Sequence, residues 1–389
     1  MSVHSGMSTT SNVAPSQLPA SGDDMDGFEK LVSEGLNFLR IFSYEAVAGV
    51  SIVGIITNLF HLTVLTRRSM RTSSINIFMA GISICELITM TCNASYVVRE
   101  HYRKYMIATY HKECFPSMTY AIVLHNTIVN TFGEVGQEIA AWFGITMAVF
   151  RAVIIKYPMS LKIRQLGRPL FGVSTLITVT FFLSPFLYIT SHQTSFQKWK
   201  LWTAPEHCKN YPPNYSEWEY VLHTGDLFSR NDGMAYWLTY YCDGIIFKLI
   251  PAVVLPVTSF ILIFELKKIN KERERVVRGS NEKETCTRTT KLVLFLSVFS
   301  FFAFAPLGML YLFHIVAAGS NLESLITDLV PFFTLFQVIN GTSHCFLCFF
   351  MSSQYRTTAR ALFCWNKKNG NKVLANTTLP PRIPSSLQS

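Results

Sequence analysis

The sequence predicts an all-α membrane protein, a bundle of seven spanning helices followed by a short amphipathic helix. Of the 389 residues, 49% are hydrophobic and only 15% are charged, whereas an ordinary soluble domain carries about a quarter charged residues. The apolar residues gather in seven long runs, and a helix crossing about 30 Å of hydrocarbon needs roughly 20 residues at about 1.5 Å each. The predicted spans are Tyr44–Leu65, Ile75–Val98, Ala121–Ile155, Leu170–Thr190, Tyr236–Leu266, Thr290–Val316 and Ile326–Met351. The membrane domain then covers 42–364, between a disordered amino-terminal tail (1–41) and a carboxyl-terminal tail (365–389).

The first span follows a polar, acidic stretch without a basic-then-apolar leader, so it is expected to act as an uncleaved signal-anchor. The third is interrupted by Glu134, Gln137 and Glu138 and suits a position surrounded by other helices.

The formal net charge is +10, but the basic residues lie almost wholly between or after the apolar runs, which points to a membrane face rather than to nucleic acid. Most of the 34 lysines and arginines fall on one side of the bundle, the densest stretch being KKINKERERVVRGSNEKETCTRTTK. The positive-inside rule places that side in the cytoplasm, with the amino terminus outside and the carboxyl terminus inside. The nine cysteines form no C-x-x-C pair, so no zinc centre is expected. No H-E-x-x-H motif or paired catalytic aspartates occur in the spans, and no inverted repeat suggests a transporter. Neither an enzyme nor a cofactor is expected.

On the predicted outer side, the connection from His192 to Ala235 is long and polar, as functional or disordered loops are. Asn214-Tyr215-Ser216 within it is the glycosylation acceptor that the topology allows. The outer compartment is oxidising, and Cys114 before the third span is the best partner for Cys208 in the loop. On the inner side, SSQYRTTARALF reads as a helix lying on the leaflet, with Cys364 at its end a candidate for palmitoylation.

Polar residues at membrane depth are functional hypotheses because they are costly there. Counted from the inner helix ends, Asn58, Glu86 and Asn340 share a level about 14–16 Å deep. They form either a cluster that orients helices one, two and seven or a polar core that rearranges on activation. Glu134 and Glu138 lie one turn apart on one helix face, and Lys248 on the fifth span sits at a similar outer depth. Two readings stay open, and they are compatible: Lys248 pairs with a glutamate to join two helices, or the acids floor a pocket that accepts a cationic ligand group. Asp243 and Glu323 are placed at its rim. Arg151 closes the third span as a candidate switch, and Pro306 with Gly308 marks a pivot in the sixth helix, where proline removes a backbone hydrogen bond.

Four blocks carry a resemblance: AAWFGITMAVFRAVIIKYPMS (Ala140 to Ser160), CDGIIFKLIPAVVLPVTSFILIFELKK (Cys242 to Lys268), TRTTKLVLF with FAPLGMLYL (Thr287 to Leu312), and NGTSHCFLCFFMSSQYRTT (Asn340 to Thr358). Together they resemble the nematode serpentine receptors of class W, which are rhodopsin-like and similar to the invertebrate FMRFamide, myosuppressin and sex-peptide receptors. The resemblance implies that Asn58 is the first-helix asparagine and that Glu86 stands where most relatives carry aspartate. It implies that Arg151 is the arginine of D/E-R-Y, here flanked by Phe150 and Ala152. The usual disulfide cysteine falls at Asn126, so Cys114 substitutes for it. Phe304 occupies the place of the tryptophan toggle, Ala305 replaces a glutamate, and Asn340 keeps the asparagine of N-P-x-x-Y while Gly341 and His344 replace its proline and tyrosine.

The function so implied is a multi-pass plasma-membrane G-protein-coupled receptor in the lipid bilayer. Its partners would be an extracellular peptide, FMRFamide-like and short, and a heterotrimeric G protein. The alternative is a chemosensory receptor for an environmental small molecule with the same transduction.

Overall fold

The computed structural model describes residues 27–110, 112–116, 118–157, 159–208, 210–230, 233–276, 281–317 and 320–363. Cys364 and both chain ends lie outside the described residues. The helices are α1 (Gly27–Leu65), α2 (Ser74–Tyr110), α3 (Tyr120–Lys156), α4 (Leu161–Leu166) and α5 (Pro169–Ser191). A hairpin of β1 (Thr194–Thr203) and β2 (Ser216–Thr224) follows, then α6 (Asp226–Ser229), α7 (Met234–Cys242), a π-helical segment (Asp243–Leu249) and α8 (Ile250–Val276). The chain continues through α9 (Asn281–Ala317), α10 (Asn321–Met351) and α11 (Ser353–Phe363).

Among the described residues, seven helices are long and apolar enough to cross a membrane, with α7, the π segment and α8 forming one of them. α1 packs on α2 and α10, α2 on α3, α3 on α5 and α8, α8 on α9, and α9 on α10, which closes the ring. α3 lies at the centre of these contacts, as its interrupting polar residues require. α5 keeps exposed apolar side chains such as Phe181 and Phe182 turned away from the bundle, a face suited to lipid tails.

Several helices outrun their predicted spans. α1 starts at Gly27, inside the segment expected as a tail, and its 39 residues extend about 58 Å, far more than the hydrocarbon thickness. α2 continues twelve residues beyond Val98 through REHYRKYMIATY. Hydropathy marks the apolar middle of such a helix and is blind to a polar extension. Exposed polar contacts link the extensions to their neighbours: Arg40 of α1 pairs with Asp328 of α10 at 3.6 Å, and His101 Nε2 of α2 lies 2.9 Å from Glu45 Oε2 of α1.

The long connection is a structured lid: β1 and β2 pair antiparallel from Thr194↔Thr224 to Thr203↔Ser216. It is tied to the start of α3 by the Tyr220 N–H donating to the Met118 carbonyl at 2.8 Å, by a bridge between Thr119 and Glu219, and by a Cys114–Cys208 disulfide. Tyr120 sits between the rings of Phe196 and Tyr220, at 5.7 and 5.6 Å. The bundle therefore has a hairpin end and, opposite it, an α11 end. At the α11 end, Val64, Met70, Phe78, Ile82, Phe143 and Met147 form an apolar core that also takes Tyr355 and Ala359 of α11. The amphipathic stripe of α11 gives it an anchor to the helices as well as to a membrane surface.

Candidate functional site

The i,i+4 spacing on α3 projects Glu134 and Glu138 from one face, toward the fifth spanning helix. There Asp243 and Lys248 are five residues apart, which at about 100° per residue would set them about 140° apart on an α-helix. The π segment removes that separation, because its wider turn brings residues i and i+5 together. Lys248 Nζ thus lies 3.1 Å from Asp243 Oδ1 and 3.7 Å from Glu138 Oε1. Lys248 and Glu138 are 2% and 1% exposed at their side chains, so the pair is sealed inside the bundle. Asp243, expected at the rim of a pocket, is instead buried beside Lys248 because the π turn rotates it inward. Glu323 reaches His314 at 4.0 Å near the start of α10.

Glu134 is placed differently. Its Oε1 accepts a hydrogen bond from the Tyr311 hydroxyl of α9 at 3.1 Å, and Lys248 Nζ lies 5.5 Å from the centre of the Tyr311 ring. Oxygens of Glu134, Glu138 and Asp243 all fall within 4.8 Å of one another. Ionised, the three acids outnumber the single ammonium, and a low-dielectric interior magnifies such an imbalance. Glu134 also lines a cavity of about 110 Å³ with Asn126, Asn130 and Thr131 of α3, Thr190 of α5, Gln193 just before the hairpin and Leu222 of β2. The asparagines and threonines of that cavity were not read as site residues from the sequence, where Asn126 entered only as the place of a missing cysteine; the recurrence of Asn126, Asn130 and Glu134 on one helix face is the signal that carries them.

The polar residues nearer the middle come together only in part. Asn58 Nδ2 donates to the Gly54 carbonyl at 3.1 Å and reaches Met90 Sδ and the Gly341 carbonyl at 3.5 Å, so it joins α1, α2 and α10. Glu86 packs against Gly341 so closely that a Cβ there would overlap its carboxylate. Asn340 turns the other way, toward α9, and accepts a hydrogen bond from Ser300 Oγ at 3.1 Å. Phe304 is buried with Ala141, Ala252 and Ala303, against Ala305 and Phe336, where α3, α8, α9 and α10 meet. Pro306 lies inside α9, and Pro331 lies inside α10 without having drawn notice from the sequence.

At the α11 end, Arg151 makes no ion pair among the described residues. Tyr355 of α11 inserts fully and its hydroxyl meets His61 Nδ1 of α1 at 2.8 Å and Cys345 Sγ of α10 at 3.6 Å. That pin between three helices was missed from sequence, because His61 reads there as one more residue of an apolar run. Asn214 stands exposed at the hairpin tip with φ 60°, in the left-handed region that asparagine tolerates.

Comparison with known proteins fits this architecture. "G-protein coupled receptor dmsr-1" of Caenorhabditis elegans is 22% identical over 246 residues, 62% of this chain but only 45% of that protein. The chain thus matches under half the length of that relative. The "Sex peptide receptor" of Drosophila melanogaster is 24% identical over 335 residues, 80% of this chain and 70% of that protein. The family described as "Serpentine type 7TM GPCR chemoreceptor Srw" matches residues 45–366, the whole spanning bundle with its amphipathic helix, and the chain belongs to that family of seven-helix G-protein-coupled receptors.

Proposed function

We propose that the hairpin end faces the outside of the cell, and that the chain is a receptor for a short peptide whose cationic group is read by Glu134. The excess of Lys and Arg in the segments at the α11 end supports this orientation. The position of Glu134 carries the ligand reading. It lines the cavity beneath the hairpin while bonding Tyr311 of α9, whereas Glu138 faces Lys248 in the sealed interior. A cavity of about 110 Å³ holds a few waters, at about 30 Å³ each, or one cationic head group.

A guanidinium or ammonium at Glu134 competes with the Tyr311 hydroxyl for the same carboxylate. The α3–α9 contact then differs between empty and occupied receptor, and that differential affinity is what shifts a two-state equilibrium. Pro306, five residues from Tyr311 toward the α11 end, leaves α9 short of a backbone bond and gives the swing a pivot. Opening the α11 end beside Arg151 admits a G protein. Asn58, Glu86, Phe304 and Asn340 rearrange as the intervening polar and aromatic contacts. One relative is a receptor for sex peptide, which favours a peptide ligand. The description of the family as chemoreceptors favours an environmental small molecule instead, and the same site would then take a cationic odorant.

The test is a library of amidated peptides on cells expressing the chain, with cAMP and calcium as readouts and an antibody count at the surface. An active peptide should lose at least a hundredfold in potency on Glu134→Lys at unchanged surface level. Normal potency in that variant removes the proposed pocket, and silence of the library with the receptor at the surface moves the ligand to the chemosensory class.

A further inference from the structure

We infer that a second ligand contact, an aromatic cleft at the hairpin tip, accepts a cationic side chain of the same ligand. This rests on the hairpin end facing outside. The cleft measures about 340 Å³ and lies between the polar extension of α2, the start of α3 and the hairpin tip, and it shares no lining residue with the Glu134 cavity, which begins one helix turn further along α3 at Asn126. Its walls are Tyr102 and Met106 of α2, Phe115 and Pro116 before α3, Ile122 of α3, and Tyr211 of the tip. Phe115 and Tyr211 stand edge to face with centroids 6.3 Å apart, and Tyr215 stacks behind Tyr211 at 4.8 Å. The Cys114–Cys208 disulfide fixes the two walls relative to each other, since Phe115 and Tyr211 follow its cysteines closely in sequence.

Two acceptors of the cleft are open to a ligand. Glu217 lines it and forms none of the ion pairs among the described residues, its Oε2 being met at 3.2 Å by the neutral Tyr215 hydroxyl. Asn210 Oδ1 is buried there without a hydrogen-bond partner. The neighbouring Glu217 carboxylate raises the Tyr215 phenol above its ordinary value, so this hydroxyl stays protonated and supplies no positive charge. π faces, a carboxylate and a vacant amide oxygen together select a group that is positive and donates hydrogen bonds, which is a guanidinium or an ammonium. An aliphatic or anionic side chain would leave these acceptors unmet.

Position along α3 turns the two contacts into a ruler. Ile122 borders this cleft and Glu134 lies at the far end of the second cavity, which opens at Asn126, so the cleft and the Glu134 carboxylate are separated by about 18 Å of helix at about 1.5 Å per residue. An extended peptide covers that distance in about five or six residues at about 3.3 Å each. The ligand carries two cationic groups with that spacing.

The cleft is testable without any agonist. Met106→Cys places a thiol in its wall, with Tyr102→Cys as a second position, in full-length receptor on intact cells. The rates of modification by trimethylammonioethyl and sulfonatoethyl methanethiosulfonate, a cation and an anion of similar size, are measured by loss of labelling with an impermeant maleimide. The cation-to-anion ratio should exceed that on free cysteine by about tenfold, fall at least threefold with Glu217→Gln, and the cation's reaction should slow in millimolar argininamide. A ratio equal to that of free cysteine and unmoved by Glu217→Gln overturns the cationic cleft. That result would leave the Glu134 pocket standing, whereas a silent peptide screen would leave the cation preference of the cleft standing and remove its place in a two-contact ligand.

Discussion

Lys248 is the cation on which the buried acids depend. Removing one partner from a sealed ion pair costs about 3–5 kcal/mol, because the remaining charges have no water to turn to. Lys248→Ala is therefore expected to lower the thermal midpoint of detergent-solubilised receptor sharply, and adding Glu138→Gln should recover part of the loss by removing an unpaired acid. An additive double mutant would mean that Lys248 does not hold Glu138. A milder change is expected at the α11 end, where Tyr355→Phe deletes the hydroxyl that meets His61 and should cost about 1 kcal/mol. At this scale the glutamate pair on α3 was legible, since i,i+4 spacing is a property of sequence alone. The inward turn of Asp243 was not, because five-residue spacing in an α-helix points to the opposite face, and nothing in DGIIFKL announces a π turn.

The same π segment shapes the contact between the fifth and sixth spanning helices. A Cβ on Gly308 would lie 2.9 Å from the Gly244 carbonyl oxygen and as close to Lys248 Cβ. The two backbones thus touch, as small residues permit in membrane bundles. Gly308→Leu must push α9 away from the fifth helix, and a fall of surface expression to a small fraction of the parent is the expected outcome; parent-level expression would deny the close approach. The hairpin has its own staple. Closing a loop over 94 residues removes about 4–5 kcal/mol of unfolded-state entropy in the simplest account. Cys114→Ser and Cys208→Ser should each weaken peptide response and thermal stability, and the double variant should be no worse than either. The middles of the spanning helices were readable because lipid demands continuous apolar sequence. Their ends and the hairpin were less so. Aromatic and β-branched residues alternate with charges in SFQKWKLW and EWEYV, a strand signal, but a long polar connection beside apolar runs reads first as loop.

Across the whole molecule, the fold follows from seven apolar helices in a ring and the family from the match over residues 45–366, whereas orientation, ligand and coupling depend on a few polar groups at its two ends. Orientation has a direct readout at the exposed hairpin tip. Endoglycosidase treatment should increase the gel mobility of the parent chain, and Asn214→Gln should already run at the faster position; an Asn214 that never carries a glycan would count against an outside hairpin. The α11 end should in turn be reached by antibody only after permeabilisation. The central claim is that a cationic peptide group at the Glu134 carboxylate drives signalling, and one measurement addresses it most directly: the potency of an active amidated peptide on parent receptor, Glu134→Lys and Tyr311→Phe, each at matched surface level. The account predicts potency lost by at least a hundredfold in Glu134→Lys and raised basal signalling in Tyr311→Phe, where α9 has lost its resting bond to α3. Full potency in Glu134→Lys together with unchanged basal signalling in Tyr311→Phe would contradict it.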